Sequence, residues 1–510
     1  MKTTEKDIII YIVGSGSLSK AIQAILIKKN IQTHGLIDKK TSLSPEIIDI
    51  NQIDSAQPSA IFIIAISFEK YRKEAKQKLI AQGVSSNKIL EIRDGSDSIF
   101  LDYLLQNKYR ETINIINKDS LSNIQSIEEK INKTPIGNNN KRLITFNYYG
   151  QGGGYRQHLN SIAVKIQKKF NAICFSDEPD SLLENSPNLA IESLLKRRND
   201  RHADLAISAN YINCSHPDIP KVLFMHEIYD HFTYSKEIIQ TITQPKTQYI
   251  FTPSSPCFER MKELCTNNNI SNKIILIPGG YPRLDSNIRL FKSIKKEADT
   301  IIYAPTLSMF DSENMELTYS MSKAPNILTS LLKFFPKYKI VFRPHPTDLL
   351  ELENGRSSIY AKPLKDALTI CNNNPNLELD THRTSYMKSY SSATLMVSDI
   401  SSTAFTYAFT TNRPVIFFSP GNSDSTPALP DSQYIQDRIK LGKCVSSCSE
   451  MVDAINNIMS QYEEYQNKIK THADQVIFNK EQSEKYFISN LDYIINHQHH
   501  PDWWYLSDHQ

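Results

Sequence analysis

Short apolar runs without polar alternation recur along this chain, and each gives way to a stretch whose apolar residues fall at helical spacing. Residues 8–13 read IIIYIV, 60–66 AIFIIAI, 273–278 KIILIP and 393–398 ATLMVS. A run of four to eight apolar residues bounded by turn residues fits a strand buried on both faces. Such strands, alternating with helices, require parallel sheets covered by helices on either side. The expected class is therefore α/β, built from Rossmann-like units.

Three such units are legible. Residues 1–95 form a small N-terminal Rossmann-like domain. Residues 96–140 are polar, helical in pattern and close on NKTPIGNNNKR, a connector. Residues 141–295 and 296–450 are two further α/β lobes, expected to face each other across a cleft. Residues 451–510 are a helical return and a tail.

Composition narrows the function. A net charge of +3 on 510 residues is too mild for a nucleic-acid binder. The apolar run of MKTTEKDIIIYIVGSGS is too short for a secretory signal, and no run approaches the roughly 18 residues of a spanning helix. The seven cysteines are scattered, with no zinc spacing, and read as reduced thiols of a cytoplasmic protein. HQHH at 497–500 reads as tail, not as a metal site, so no metal is expected.

The segment KYKIVFRPHPTD sets the central question. A buried strand ends on Arg343 and His345, and two prolines then stiffen the backbone. Ligands of open α/β sheets bind at the carboxyl ends of strands. In SDISSTAFTYA, Asp399 closes another strand, and Ser401 and Ser402 open a helix. Serine hydroxyls and unsatisfied N–H groups at a helix start make a phosphate cradle. Arg343, His345, Ser401 and Ser402 lie in one lobe and can converge on a diphosphate.

Other candidates sit nearer the N-terminus. In VLFMHEIYDHF, His226 follows a strand with Glu227 beside it, the composition of a general base; His231 is a weaker second choice. In GGYPRLD, Arg283 on a stiff turn can hold an anion, or an Arg283–Asp285 contact can simply brace the turn. Gly152, Gly153 and Gly154, with Arg156 and His158 on the helix that follows, read as a loop facing a substrate. Gly14 and Gly16, with Asp38 after the second strand, match part of a dinucleotide fingerprint. Ser19 stands where its third glycine would be. This stretch is similar to the N-terminal domains of bacterial sugar-modifying acyltransferases.

From about 141 to 490 the chain resembles the CDP-glycerol glycerophosphotransferase family of teichoic-acid and capsule polymerases. Four segments carry the resemblance in order: GGYPRLD, IIYAPTL, RPHP and SDISSTAFTYAFTTNRPVIFF. It implies a GT-B fold with a nucleotide-activated donor and no metal or other cofactor. His226 becomes the base that activates the acceptor hydroxyl. Thr306, His345, Asp399, Ser401 and Ser402 become donor ligands, with Arg283 and Arg343 near the cleft. The chain departs from the family at Glu227 and Ile228, where a His-Gly-Thr type segment is usual, and at Ile400, where tyrosine is usual.

The expected function is transfer of a polyol phosphate from a CDP-activated donor to a glycan, polyol-phosphate or lipid-linked hydroxyl in the synthesis of a cell-surface polysaccharide. An inverting GT-B glycosyltransferase using a nucleotide sugar is one alternative. A catalytically silent nucleotide-binding scaffold subunit is another. A lipid-linked acceptor implies contact with the inner face of the membrane; Trp503 and Trp504 of HPDWWYL fit an interfacial foot or, equally, packing on the N-terminal domain.

Overall fold

The computed structural model describes residues 9–14, 19, 23, 33–38, 47–50, 53, 60–66, 69–91, 142–148, 156–176, 191–193, 203–209, 218–230, 236–243, 245–268, 270–294, 299–308, 319–353, 355, 358–382, 386–420 and 432–509. The connector read at 96–140 lies outside them. The chain forms two compact units: the first is mainly residues 1–156 and 160–222, the second mainly 223–243 and 248–510.

The first unit opens with a five-stranded parallel sheet: β1 (Ile9–Val13), β2 (Gly35–Asp38), β3 (Ile47–Asp49), β4 (Ala60–Ile64) and β5 (Ile89–Glu91), in the order β3-β2-β1-β4-β5. The unbroken apolar run of β4 is buried along its whole length, as its composition requires. Four more strands, β6 (Leu143–Tyr148), β7 (Asn171–Ser176), β8 (Ile191–Ser193) and β9 (Leu205–Ser208), lie in the order β9-β6-β7-β8. β10 (Lys221–Phe224) falls at the boundary between the units.

The second unit holds β11 (Thr247–Thr252) and β12 (Lys273–Pro278) as neighbours. It also holds a six-stranded parallel sheet: β13 (Thr300–Tyr303), β14 (Lys339–Phe342), β15 (Leu377–Leu379), β16 (Ala393–Ser398), β17 (Val415–Phe418) and β18 (Gly442–Val445). Their order is β15-β14-β13-β16-β17-β18. The chain starts at the centre, winds outward through β14 and β15, then returns to β16 and winds the other way. The reversal falls between β13 and β16, and crevices form at such switch points. A large apolar core surrounds this sheet, including Ile302, Phe342, Met396, Phe405 and Phe417.

The C-terminal return is ordered structure. Helices Cys448–Ser460, Tyr462–Val476 and Ser483–Ile495 lead to β19 (Trp504–Tyr505), which pairs antiparallel with β12. This corrects the reading of the tail. Trp503 is buried, donates Nε1–H to the Tyr486 hydroxyl (3.1 Å) and lies edge-on to Tyr249, so it is no membrane foot. His500 stacks on Trp503 and His499 on Tyr505. The described residues contain no helix long and apolar enough to cross a membrane and no His/Cys/Asp/Glu cluster suited to a metal ion.

Candidate active site

Parallel register brings three strand ends together. Tyr303, the last residue of β13, is level with Phe342 on one side and Val397 on the other. The chain continues from these ends into Thr306, into Arg343 and His345, and into Asp399, Ser401 and Ser402. Residues 37 to 96 positions apart thus follow strands at one edge of the sheet, on both sides of the switch point.

Two buried carboxylates fix the loop after β13. Asp399 accepts the Thr306 N–H (2.9 Å), the Ser320 N–H (2.9 Å) and the Ser320 hydroxyl (2.8 Å). Asp348 accepts the N–H of Ser308 (3.0 Å) and its hydroxyl (2.8 Å). Neither aspartate is exposed. Burial raises the Asp399 carboxyl to about 6 although three donors oppose the shift, so it is largely ionised at neutral pH. Both oxygens of Asp399 are engaged in holding the loop, which places this residue behind the site. The Thr306 N–H is likewise taken by Asp399.

His345 is half-buried at the start of helix Pro346–Glu353. The Thr347 N–H donates to its Nδ1 (3.2 Å). A neutral ring accepting at Nδ1 carries its proton on Nε2, so Nε2–H is the donor. Ser401 is the N-cap of helix Ser402–Thr411: its backbone is extended, and Oγ accepts the Thr403 N–H (3.3 Å). Ser402, the first helical residue, is half-buried. Among the described residues neither its hydroxyl nor its N–H has a hydrogen-bond partner. The helix start therefore directs a hydroxyl and an N–H, together with the positive end of its dipole, outward from the strand end.

His226 is held by the residues around it. The Tyr281 hydroxyl donates to the His226 carbonyl, and the Ser254 hydroxyl to the Ile228 carbonyl (2.7 Å). Tyr229 is fully buried; its hydroxyl donates to Asp437 and lies 2.9 Å from His472 Nε2. Asp230 accepts the Ser432 hydroxyl (2.9 Å) and the N–H groups of Gln433 (2.7 Å) and Tyr434 (2.8 Å). It thereby caps helix Gln433–Leu441 from about 200 residues away in sequence. Four of the five residues 226–230 are thus held by groups from four separate segments.

Glu227 differs from the expected carboxylate beside a base. Its carboxyl is 3.9 Å from His226 Nε2, beyond hydrogen-bond reach, and burial pushes it up to about 8. At neutral pH it is mainly an uncharged acid and cannot supply the negative charge that would raise the basicity of His226.

The arginines face a shared ring. Arg283 and Arg343 lie 5.1 and 5.6 Å from the ring centre of Tyr386. The Nε–H of Arg283 donates to the Tyr386 hydroxyl (3.0 Å), which donates on to Asn287 (2.8 Å). Arg343 Nη1 pairs with Asp380 (2.7 Å) and Nη2 donates to the His382 carbonyl (2.7 Å). The guanidinium of Arg343 thus turns toward β15. No Arg283–Asp285 brace is present: Asp285 accepts the Glu481 N–H (2.7 Å), the Ser483 N–H (2.9 Å) and the Ser483 hydroxyl, anchoring the last long helix. Gly280 has φ +99°, and a Cβ there would lie 2.3 Å from the Phe478 carbonyl oxygen, so its glycine serves packing.

Gly16, Gly152, Gly153, Gly154 and His231 lie outside the described residues. Arg156 and His158 fall in helix Arg156–Gln167, with their side chains outside the description. In the N-terminal sheet, Gly14 ends β1 at φ +116° and Asp38 ends β2. The Ser19 hydroxyl donates to the Ala65 carbonyl (3.1 Å), so this small residue packs against the end of β4, the position a third glycine would take.

Sequence reasoning missed Ser320, Asp348, Asp230, Tyr386 and Tyr434. Each acts on a partner 33 to 204 positions away, and no local pattern marks it. The one available signal was the IYD that follows His226 and Glu227.

Residues 254–485 match the family CDP-Glycerol:Poly(glycerophosphate) glycerophosphotransferase. No curated protein matches the chain. Among solved structures, a variant of the wall teichoic acid polymerase TagF is similar at TM-score 0.50 and 16% identity, over 85% of this chain and 99% of that one. A second TagF variant is similar at TM-score 0.50 and 15% identity over the same shares. At these identities the likeness shows the fold, which is GT-B.

Proposed function

We propose that this chain, which carries the glycerophosphotransferase family pattern over residues 254–485 on a GT-B fold, transfers a polyol phosphate from a CDP-activated donor to a hydroxyl of a growing cell-surface polymer. The observation that carries the reading is the helix start at Ser401–Ser402 at the β13/β16 switch point, with His345 following β14 on the other side of β13. A diphosphate placed there meets the Ser402 N–H and hydroxyl, the helix dipole and the Nε2–H of His345.

The reaction follows from the groups present. The acceptor hydroxyl gives its proton to His226 as its oxygen attacks the phosphorus that bears the polyol. The bond from that phosphorus to the bridging oxygen breaks, and cytidine monophosphate leaves. His345 and the helix start offset the charge that grows on the bridging oxygen. The contacts to the backbone of residues 226 and 228 hold the segment that carries the base, and positioning supplies much of the advantage in such a displacement. The scheme uses no resident metal. A glycan, polyol-phosphate or lipid-linked acceptor suits it, and a lipid-linked one would bring the chain to the cytoplasmic face of the membrane. A teichoic acid and a capsule both fit the proposal, since the transferred group is the same.

The test is a thermal-shift panel with CDP-glycerol, CDP-ribitol, CMP, UDP-sugars, GDP-sugars and NAD. A ligand that binds only the folded chain raises Tm by mass action. The expected result is a shift with cytidine nucleotides that is lost in the Ser401→Ala, Ser402→Ala double variant. A shift confined to UDP- or GDP-sugars would replace the reading with a glycosyltransferase, and a shift with NAD alone would move the site to the N-terminal sheet.

A further inference from the structure

The loop that carries His226 and the helix start that faces the donor are joined through one side chain. Asp230 caps helix Gln433–Leu441 by accepting the Tyr434 N–H (2.8 Å). The ring of Tyr434 is fully buried and packs on Phe405, with centroids 4.5 Å apart. Its hydroxyl donates to the Ser401 carbonyl (2.8 Å) and lies 3.2 Å from the Asp399 carbonyl.

That first contact falls on a particular peptide group. The Ser401 carbonyl and the Ser402 N–H belong to the same planar unit. A donor on the oxygen polarises the unit and strengthens its N–H as a donor in turn. It also fixes the plane, and so the direction in which the N–H points. This N–H is one of the two Ser402 groups without a partner among the described residues. Tyr434 cannot reach a ligand itself, because it is behind the peptide.

We propose that Tyr434 is a positioning residue for the donor phosphate, acting through the Ser401–Ser402 peptide. The inference rests on the donor reading given above and adds a residue that none of the family's recognisable segments contains. Because the same tyrosine lies in the first turn of a helix capped by Asp230, it also ties the aim of the phosphate donor to the loop holding His226.

The test is isothermal titration of the full chain with CDP, pyrophosphate and cytidine. Tyr434→Phe keeps the ring and its packing and removes only the hydroxyl. The expected result is a Kd for CDP and pyrophosphate raised about five- to tenfold, the size of one net hydrogen bond. Cytidine, which has no phosphate, should bind the variant and the wild type alike. A merely structural role would weaken all three together. Ser402→Pro removes the N–H itself at a helix position that accepts proline, after a residue already extended at φ −72°, ψ 134°. In that background Tyr434→Phe should have no further effect on CDP. Unchanged CDP binding in Tyr434→Phe, parallel loss of cytidine, or full additivity with Ser402→Pro would each overturn the proposal and leave the donor reading standing. A wild-type chain that binds neither CDP nor pyrophosphate would overturn the donor reading and this inference together.

Discussion

Replacing Glu227 with glutamine should stabilise the protein, and increasingly so as pH rises. In the folded chain burial holds this carboxyl at about 8, against an ordinary value of 4.5. Between those two values the folded state keeps a proton that the unfolded state has released. Stability therefore falls as pH rises through that window and is level outside it. Each unit of pKa difference is worth about 1.36 kcal/mol, so the full gap corresponds to roughly 4–5 kcal/mol. Glutamine has nearly the same shape and no proton to lose, so Glu227→Gln removes the slope. Urea unfolding followed by tryptophan fluorescence is the suitable assay. The two tryptophans of the chain, Trp503 and Trp504, belong to the unit that contains Glu227. The stability difference between variant and wild type should widen in favour of glutamine from about pH 5 to pH 8, then stay constant. Parallel pH profiles would show that Glu227 is already ionised in the folded protein, and would restore it as a charged neighbour of His226.

Three further outcomes are expected. His345→Ala should lower turnover at least about 100-fold while Tm stays near the wild-type value, because one stabiliser of developing charge is lost from a half-buried position; full turnover in a folded variant would remove His345 from the site. Gly280→Ala should lower Tm and the urea midpoint by the equivalent of about 2 kcal/mol or more, since its φ of +99° and the Phe478 carbonyl oxygen 2.3 Å from a Cβ both oppose a side chain; an unchanged midpoint would show that the turn relaxes. Turnover should survive dialysis against EDTA, because the proposed groups meet the leaving charge with N–H and O–H donors; a loss restored by magnesium would add a metal to the site.

The α/β class was legible because central strands are short, mostly apolar runs bounded by turn residues, as β4 and β16 show, and such runs fit a strand covered on both faces. His345, Ser401 and Ser402 were legible because they directly follow such strands. Their orientation was not. Arg343 has the same strand-end position as His345, yet it turns to Asp380, 37 residues away, because that carboxylate is its nearest charge partner. Asp399 looked like part of the cradle and instead holds Thr306 and Ser320. A carboxylate at a strand end finds backbone N–H groups of neighbouring loops as readily as a ligand, and only the fold decides between them. Glu227 illustrates the same point for charge: sequence gives the carboxyl, and burial decides that it is uncharged. The tail's partner was not legible, since nothing local in HPDWWYL indicates that β12 has an open edge for it.

The measurement that tests the central claim most directly is the identity of the nucleotide released in single turnover from CDP-glycerol in the presence of a polyol-phosphate acceptor. Attack at phosphorus releases cytidine monophosphate, one for each glycerol phosphate joined to the acceptor, and the account predicts that product for the wild type and its loss in His226→Ala. Release of cytidine diphosphate, with glycerol transferred without its phosphate, would place the attack at carbon and contradict the account.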